Sequence, residues 1–288
     1  MSDGSTPGFL PVVSFIPILN ITTLNQELLF ITVPGSNRKL FVHIHIPVSS
    51  NGKAFFFLNP ILDEAKRSHG FQAATARRIC LLGYFVFRFD YFGTGDSGGE
   101  VYEMDFHESV EDANYLIRFF CEKYSLRSIY LLGVRMGADL AAMIASKNDM
   151  LNVLYLIEPI VSGARYLMEQ RFRRKSFFKL NRMSEAEDAV TINDKIFEDH
   201  QGFLLSNTAL SFISALNTEK IGLKNKTIHL YPVANSVSRK LINNLVKSMS
   251  DRNFVNMEEV RCGDFWASLN PVDTSLLTDR ITDSLLIC

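Results

Sequence analysis

A strand, a tight turn and a helix carry the residue that decides the chemistry open to this chain. Residues 128–137 read SIYLLGVRMG, an apolar run that ends in a turn with Gly133 and Gly137 on either side of Arg135. This is the spacing of the G-x-S-x-G turn, in which a strained backbone lifts a nucleophilic serine above a parallel sheet. A guanidinium is always protonated and cannot attack a carbonyl. The pattern therefore predicts the frame of a serine nucleophile without its reacting atom.

The residues that would activate such a nucleophile are also replaced. The acid is expected after the apolar run at 227–233, where Asn235 stands; Glu158, after the preceding strand, is an alternative acid or a structural carboxylate paired with an arginine. The loop after the last strand, where a histidine is expected, contains Asp264, and no histidine follows His229. His229 lies within a strand pattern, which is typical of a core histidine. The sequence thus offers no general base for a hydroxyl nucleophile.

Arg135 itself has two interpretations. The amide of Met136, at a helix start, and the amide of Ile61, in the loop that follows Asn59, would form an anion-binding nest around the guanidinium. These four residues would then hold a small anionic or acyl ligand. In the second interpretation, Arg135 fills the pocket by pairing with a carboxylate, and the candidates are Glu158, Asp63 and Asp264.

The elements that must position these residues alternate between strands and helices. Apolar β-rich runs are predicted to be strands at 28–33, 40–47, 54–58, 84–89, 128–134, 153–157, 227–233 and 256–261. Helices are predicted at 69–82, 106–123, 136–147, 238–249 and 274–286. The first two strands are too close for a crossover and must be antiparallel, whereas the rest are joined by helices and must be mostly parallel.

These elements predict an α/β-hydrolase fold, with a mostly parallel eight-stranded sheet and a helical cap insertion. The first part of the core is assigned to residues 1–161, the helical cap to 162–222 and the second part of the core to 223–288. Residues 8–21 are apolar but interrupted by prolines, so we expect an edge strand or a tethered arm there and no membrane span. In the cap, a cluster of basic residues alternates with phenylalanines, and it is either a lip for an anionic partner or membrane surface, or a solvated helix face. Its basic members are Arg165, Arg171, Arg173, Arg174, Lys175 and Lys179.

Composition limits the partners. The 288 residues carry a formal net charge of −1, which gives no reason to expect nucleic-acid binding. The four cysteines have no metal-type spacing and are typical of reduced thiols, which favours a cytoplasmic location. We find no motif for a metal or a cofactor, and the oligomeric state cannot be read from the sequence.

Three segments carry a resemblance to a known family. They are NPILDEAKRSH at 59–69, GVRMGADLAA at 133–142 and EPIVSGARYLMEQRFR at 158–173, with a weaker match in GDFW at 263–266. The chain resembles the exosortase A system-associated hydrolases of the second ortholog type, which are bacterial α/β-hydrolase-fold proteins. That family is similar in having arginine in place of the serine, and it differs in having histidine where this chain has Asn59. The resemblance implies a hydrolase label and a role beside exopolysaccharide and envelope genes.

Two functions remain open on these residues. The first is a non-catalytic ligand-binding or scaffold protein in a bacterial exopolysaccharide or envelope pathway, with weak association with the membrane or envelope machinery. The second is an atypical hydrolase or acyltransferase that acts on an ester or thioester through unconventional residues such as Glu158, Asp264 or Ser97.

Overall fold

The computed structural model describes residues 25–181, 189–200, 202–233 and 239–286, together with the backbone of 13–16. The strands are β1 (Val13–Ile16), β2 (Asn25–Thr32), β3 (Lys39–Ile46), β4 (Lys53–Leu58), β5 (Phe85–Phe89), β6 (Ser128–Val134), β7 (Leu151–Ile157), β8 (Ala189–Ile192), β9 (Lys195–His200), β10 (Phe203–Ser206), β11 (Thr227–Tyr231) and β12 (Phe254–Met257). The helices are α1 (Asp63–Leu81), α2 (Phe106–Tyr124), α3 (Met136–Ser146), α4 (Gly163–Leu180), α5 (Asn207–Ala215), α6 (Arg239–Ser250) and α7 (Ser275–Leu286).

The main sheet has nine strands in the order β1-β2-β3-β5-β4-β6-β7-β11-β12. The first strands and the β3–β5 pair are antiparallel, and the pairs from β5–β4 to β11–β12 are parallel. This is the mostly parallel α/β-hydrolase arrangement that the sequence predicts. The ninth strand is β1, which is the edge strand expected within residues 8–21.

Two apolar layers cover the sheet. The continuous apolar run of β4 alternates between them, since Phe56 faces the layer of α2 and α3, and Phe55 and Phe57 face the layer of α1 and α7. Strands buried on both faces are expected to be apolar, and β4 after Lys53 and β5 apart from Arg88 are. The parallel strands, whose carboxyl ends present the site, are therefore packed between two apolar layers.

The insertion between β7 and β11 is only partly helical. It contains α4 and α5, as expected for a helical cap, but also an antiparallel sheet in the order β10-β9-β8 that the sequence analysis did not predict. The two ends of the insertion meet at a neck, where Ser162 forms a bridge with Asn217 and the amide of Gly163 donates to the carbonyl of Leu216 at 2.9 Å. We therefore propose that residues 162–222 form the insertion, between core segments 1–161 and 223–288.

No helix in the described part of the chain combines the length and the apolar character needed to cross a membrane.

Candidate functional site

The turn between β6 and α3 has the strained backbone that the glycine spacing predicts. Arg135 has φ 54° and ψ −126°, a conformation that side-chain-bearing residues rarely adopt. A Cβ on Gly137 would lie 2.1 Å from the carbonyl oxygen of Leu58, and one on Gly133 would lie 2.3 Å from the carbonyl oxygen of Gly137. Gly137 is therefore required by the close approach of β4 to the turn, and Gly133 by the close approach of the first turn of α3. The turn lifts the Arg135 side chain above the sheet, at the position of a nucleophile.

Arg135 is buried and neutralised. Only 5% of its surface is exposed, and its Nε lies 3.3 Å from Oε2 of Glu64, in the first turn of α1. Its Nη1 donates to the carbonyl oxygen of Glu158 at 3.2 Å. The guanidinium carbon lies 5.2 Å from the ring centre of Trp266 and 5.9 Å from that of Tyr166, so both rings are within cation–π distance of the cation.

Glu64 is the functional residue that sequence reasoning missed. The predicted partners of Arg135 were Glu158, Asp63 and Asp264, and the carboxylate that pairs with it is the next residue after Asp63. Asp63 instead pairs with Arg67 on the same helix, and Asp264 is exposed. Burial raises the pKa of Glu64, and the charge of Arg135 only partly offsets that effect. For Arg135, burial is the largest influence on the guanidinium pKa and lowers it, but Glu64, Tyr166 and Glu158 together more than compensate and the pKa is raised.

Glu158 serves the backbone. It has φ 41°, it is 1% exposed, and Oε2 of its carboxylate accepts a hydrogen bond from the amide of Val233 at 2.8 Å. The carboxylate thus ties the end of β7 to the residues after β11, and the Glu158 carbonyl bonds to Arg135. Glu158 thus has the geometry of a structural carboxylate, one of the two interpretations of the sequence. Arg135 contacts its main-chain carbonyl.

The other positions expected for a catalytic acid or histidine carry no such group in the described residues. Asn235 lies outside the described residues. The loop after β12 brings Trp266, not a base, over Arg135, while Asp264 stays at the surface. His229 is stacked on Tyr155 with ring centres 4.6 Å apart, and burial lowers its pKa. The predicted core histidine is therefore a neutral ring in the layer of α1 and α7.

The predicted anion nest is only partly assembled. Met136 is the first residue of α3, where an amide has no partner within the helix, and it is buried together with Ile61. Asn59 brings its backbone to the turn, but its side chain points elsewhere: Nδ2 donates to the carbonyl of Phe89 at 2.7 Å and to Asp90 at 3.3 Å. Arg135 is thus paired with Glu64, and the side-chain amide of Asn59 is bonded at the end of β5 instead of lining the nest.

Neither the Ser97 hydroxyl nor the Cys262 thiol is available as a nucleophile, because the first is hydrogen-bonded and the second is protonated. Ser97 Oγ donates to the carbonyl of Asp90 at 2.7 Å and accepts from the amide of Phe41 at 2.9 Å, so it holds the turn after β5 against β3. Burial raises the pKa of the Cys262 thiol to about 11, with Asp264 and Glu158 adding to the effect. A thiol with that pKa is protonated at neutral pH and is a poor nucleophile. The described side chains contain no group of three or more histidine, cysteine, aspartate or glutamate residues placed to hold a metal ion.

Comparisons with known proteins agree with this architecture. The family model for serine aminopeptidases, S33, matches residues 65–201, just under half of the chain. The chain resembles the ferulic acid-bound Est1E of Butyrivibrio proteoclasticus with a TM-score of 0.62 and 12% identity, over 87% of this chain and 95% of that one. It resembles the esterase Pf2001 of Pyrococcus furiosus with a TM-score of 0.62 and 15% identity, over 98% of both chains.

A third likeness is to the α/β hydrolase GrgF of Penicillium sp. sh18, with a TM-score of 0.63, 14% identity, and 91% and 98% coverage of the two chains. Comparison of the sequence with curated proteins yields no match. The chain is thus an α/β-hydrolase-fold protein, and identities this low carry no statement about its substrate.

Proposed function

We propose that this α/β-hydrolase-fold protein is non-catalytic at the turn between β6 and α3 that presents Arg135, here called the elbow, and works as a ligand-binding or scaffold protein. The observation that carries the proposal is the ion pair between Arg135 Nε and Glu64 Oε2, 3.3 Å apart and almost fully buried. It fills the position where a nucleophile, its base and a substrate carbonyl would meet. Trp266 covers the pair from the loop that would otherwise deliver a histidine. The segment resemblance supports a setting in a bacterial exopolysaccharide or envelope pathway, of the exosortase-associated type, with the protein in the cytoplasm.

The elbow lacks the groups that each step of acyl transfer requires. A hydroxyl must lose a proton to a base as it attacks, and that base must be held by a third group. At the elbow the side chain is a guanidinium, and the described groups around it are a paired carboxylate, two aromatic rings and a carbonyl. The alternative, an atypical hydrolase or acyltransferase, would need a nucleophile such as Ser97, whose hydroxyl is already bonded to Asp90 in the turn after β5 and to Phe41 on β3.

We expect the purified protein to show neither fluorophosphonate labelling nor turnover of p-nitrophenyl acetate and octanoate. Arg135→Ser should be equally inactive, because a serine placed there has no base to remove its proton. The measurement is in-gel labelling together with the release of nitrophenol, with an active esterase of the same fold as a positive control. Stoichiometric labelling of the wild type would contradict the proposal, and its loss in Ser97→Ala would then identify the nucleophile.

The proposal includes a weak association with an anionic membrane surface through α4. Much of the basic cluster is paired, since Arg165 bonds to Glu169, Arg171 to Glu198 and Arg174 to Asp199. Large apolar side chains are nevertheless exposed along the same helix, beside Lys175 and Lys179. They are Met168, Phe172, Phe177 and Leu180, with exposed fractions of 62%, 71%, 52% and 82%. Apolar side chains next to lysines are typical of helices that lie in a lipid interface.

We expect the protein to sediment with phosphatidylglycerol vesicles and several-fold less with phosphatidylcholine vesicles. Phe172→Ser with Leu180→Ser should reduce the bound fraction several-fold, because both side chains lose their apolar contact with lipid. Met150→Ser, an exposed apolar residue between α3 and β7, is the matched control. Equal sedimentation of the double variant and the control would show that α4 is not the contact.

A further inference from the structure

Arg88, in the middle of β5, is a buried cation without a counter-charge. It is 8% exposed, and no carboxylate in the described part of the chain lies within 4 Å of its guanidinium. The other two buried arginines each have such a partner, Arg135 in Glu64 and Arg174 in Asp199. The Nε of Arg88 has no hydrogen-bond acceptor, and its Nη2 lies 3.1 Å from Nδ1 of His69. Since a guanidinium can only donate, that ring nitrogen is the unprotonated one.

The surroundings of Arg88 add no negative charge at contact distance. Burial lowers the pKa of Arg88 to about 10, with Asp90 opposing and Arg77 adding to the effect, so the side chain remains charged at pH 7. His43 stands directly opposite on β3, and burial together with the nearby charge of Arg88 lowers its pKa to about 4. The rings of His43 and His69 are therefore neutral, and the positive charge stays uncompensated. Burying an unpaired charge is costly, so its presence here needs a reason.

Arg88 lines a cavity that could accommodate its missing partner. The cavity has a volume of about 420 Å³ and lies between α1, β3, the Asn59 loop and the turn after β5. Its walls include the apolar side chains Phe41, Ile61, Met104 and Phe203. A volume of a few hundred Å³ with apolar walls and a few polar groups is usual for small-molecule sites.

We propose that this cavity binds a small monocarboxylate with an apolar body, and that the carboxylate is the counter-charge of Arg88. Elsewhere in the chain, Arg38 pairs with the carboxylate of Asp112 through Nε and Nη2, at 3.0 and 2.9 Å. A ligand carboxylate in the cavity would give the Arg88 guanidinium the counter-charge that it lacks, while the apolar body would lie on the aromatic walls.

Two acids and a lysine also line the cavity, and Asp90, the less exposed acid, limits the charge of the ligand. The other two, Asp96 and Lys66, are exposed and of opposite charge. Asp90 accepts hydrogen bonds from Asn59 Nδ2 at 3.3 Å and from the amide of Asp96 at 3.0 Å, so its oxygens are used within the turn. A phosphate monoester, with nearly two negative charges at neutral pH, would be repelled by this neighbour more strongly than a carboxylate. The cavity therefore favours a single negative charge.

The test uses 4-phenylbutyrate as the probe, with 4-phenylbutyramide and phenyl phosphate as comparisons. We expect the acid to raise the melting temperature and to bind at least tenfold more tightly than the amide by titration calorimetry, with phenyl phosphate weaker than the acid. Arg88→Met should lose at least tenfold in affinity for the acid and keep any affinity for the amide. Arg118→Met, on the exposed side of α2 across the sheet, should bind as the wild type does.

The stability of the variant gives a second, independent readout. Arg88→Met removes an uncompensated buried charge, so its melting temperature without ligand should equal or exceed that of the wild type. Arg88→Lys keeps the charge but loses the planar fork, and it should bind the acid with intermediate affinity. The proposal is overturned if the wild type binds acid and amide equally, if phenyl phosphate binds more tightly, or if Arg88→Met retains the affinity. None of these outcomes depends on whether the elbow is catalytic, which fluorophosphonate labelling measures separately.

Discussion

Replacing Arg135 with methionine is expected to lower the free energy of unfolding by about 3–5 kcal/mol at pH 8. The substitution leaves the carboxylate of Glu64 buried without its cation, and only 4% of that side chain is exposed. It also removes the hydrogen bond to the Glu158 carbonyl, which contributes about 1 kcal/mol. Urea denaturation followed by circular dichroism measures the change.

A double-mutant cycle separates the buried charge from the lost packing. Arg135→Met combined with Glu64→Leu should recover most of the stability, because replacing a buried ion pair by apolar groups is often neutral. Arg165→Met is the matched control, since Arg165 forms a half-exposed pair with Glu169 on α4. That variant should change the free energy of unfolding by about 0.5 kcal/mol or less. A double variant no more stable than Arg135→Met would rule out the unpaired carboxylate as the cause.

The cost of Arg135→Met should depend on pH in a defined direction. The pKa of Glu64 is already raised by burial, and losing Arg135 raises it further, so the folded state binds the proton more tightly than the unfolded state. The penalty is complete above the folded pKa and fades as the pH falls toward about 4.3, the ordinary value for glutamate. The variant should therefore lose more stability at pH 8 than at pH 5. An equal loss at both pH values would contradict the assignment to Glu64.

The fold could be predicted because most of its strands are long apolar runs with clear ends. AFFFL and YFVFRF must be buried on both faces, and the helices between them fix the parallel order. The three strands of the insertion were missed because they are short and paired only with one another. A signal was nevertheless present: Asn193 and Asp194 have φ of 48° and 60°, and such a pair between two short strands is typical of a two-residue hairpin.

The candidate site could be predicted only in outline. The glycines fix the turn that presents Arg135, but the choice between Asp63 and Glu64 as its partner depends on where α1 begins. The sequence predicts a helix from residue 69, whereas α1 begins at Asp63. Adjacent residues on a helix point about 100° apart, so a shifted start changes which carboxylate faces the elbow. The burial of Arg88 likewise depends on α1 and β3 covering β5, which no local pattern encodes.

Removing the Asp139 carboxylate is expected to lower the free energy of unfolding about as much as removing Arg135, because Asp139 joins both ends of the insertion. Its carboxylate is fully buried in α3 and accepts hydrogen bonds from the amides of Ile160 at 2.9 Å and Val161 at 3.2 Å, and from the hydroxyl of Thr218. The first two residues lead into the neck and the third follows it. Asp139→Ala would leave three buried donors unsatisfied, and we expect a loss of about 3–5 kcal/mol at pH 5.

The pH dependence of Asp139→Ala should run opposite to that of Arg135→Met. Burial raises the pKa of Asp139 to about 6, and the bonds from Thr218, Ile160 and Val161 only partly offset it. Because the folded pKa exceeds the unfolded one, the wild type loses stability as the pH rises through about 6, and the alanine variant does not. The difference between them should shrink by about 1–3 kcal/mol from pH 5 to pH 8.

Limited trypsin digestion tests the structural role of Asp139 directly. Cleavage within the insertion should be faster in Asp139→Ala, since the neck is held by few other bonds, whereas Asp251→Ala, an exposed substitution after α6, should be cleaved as slowly as the wild type. A variant that loses stability without faster cleavage in the insertion would mean that Asp139 supports α3 and not the neck. The stability loss of Arg135→Met should still grow with pH and that of Asp139→Ala should still shrink. Each slope tests one buried carboxylate, Glu64 or Asp139, independently of the digestion.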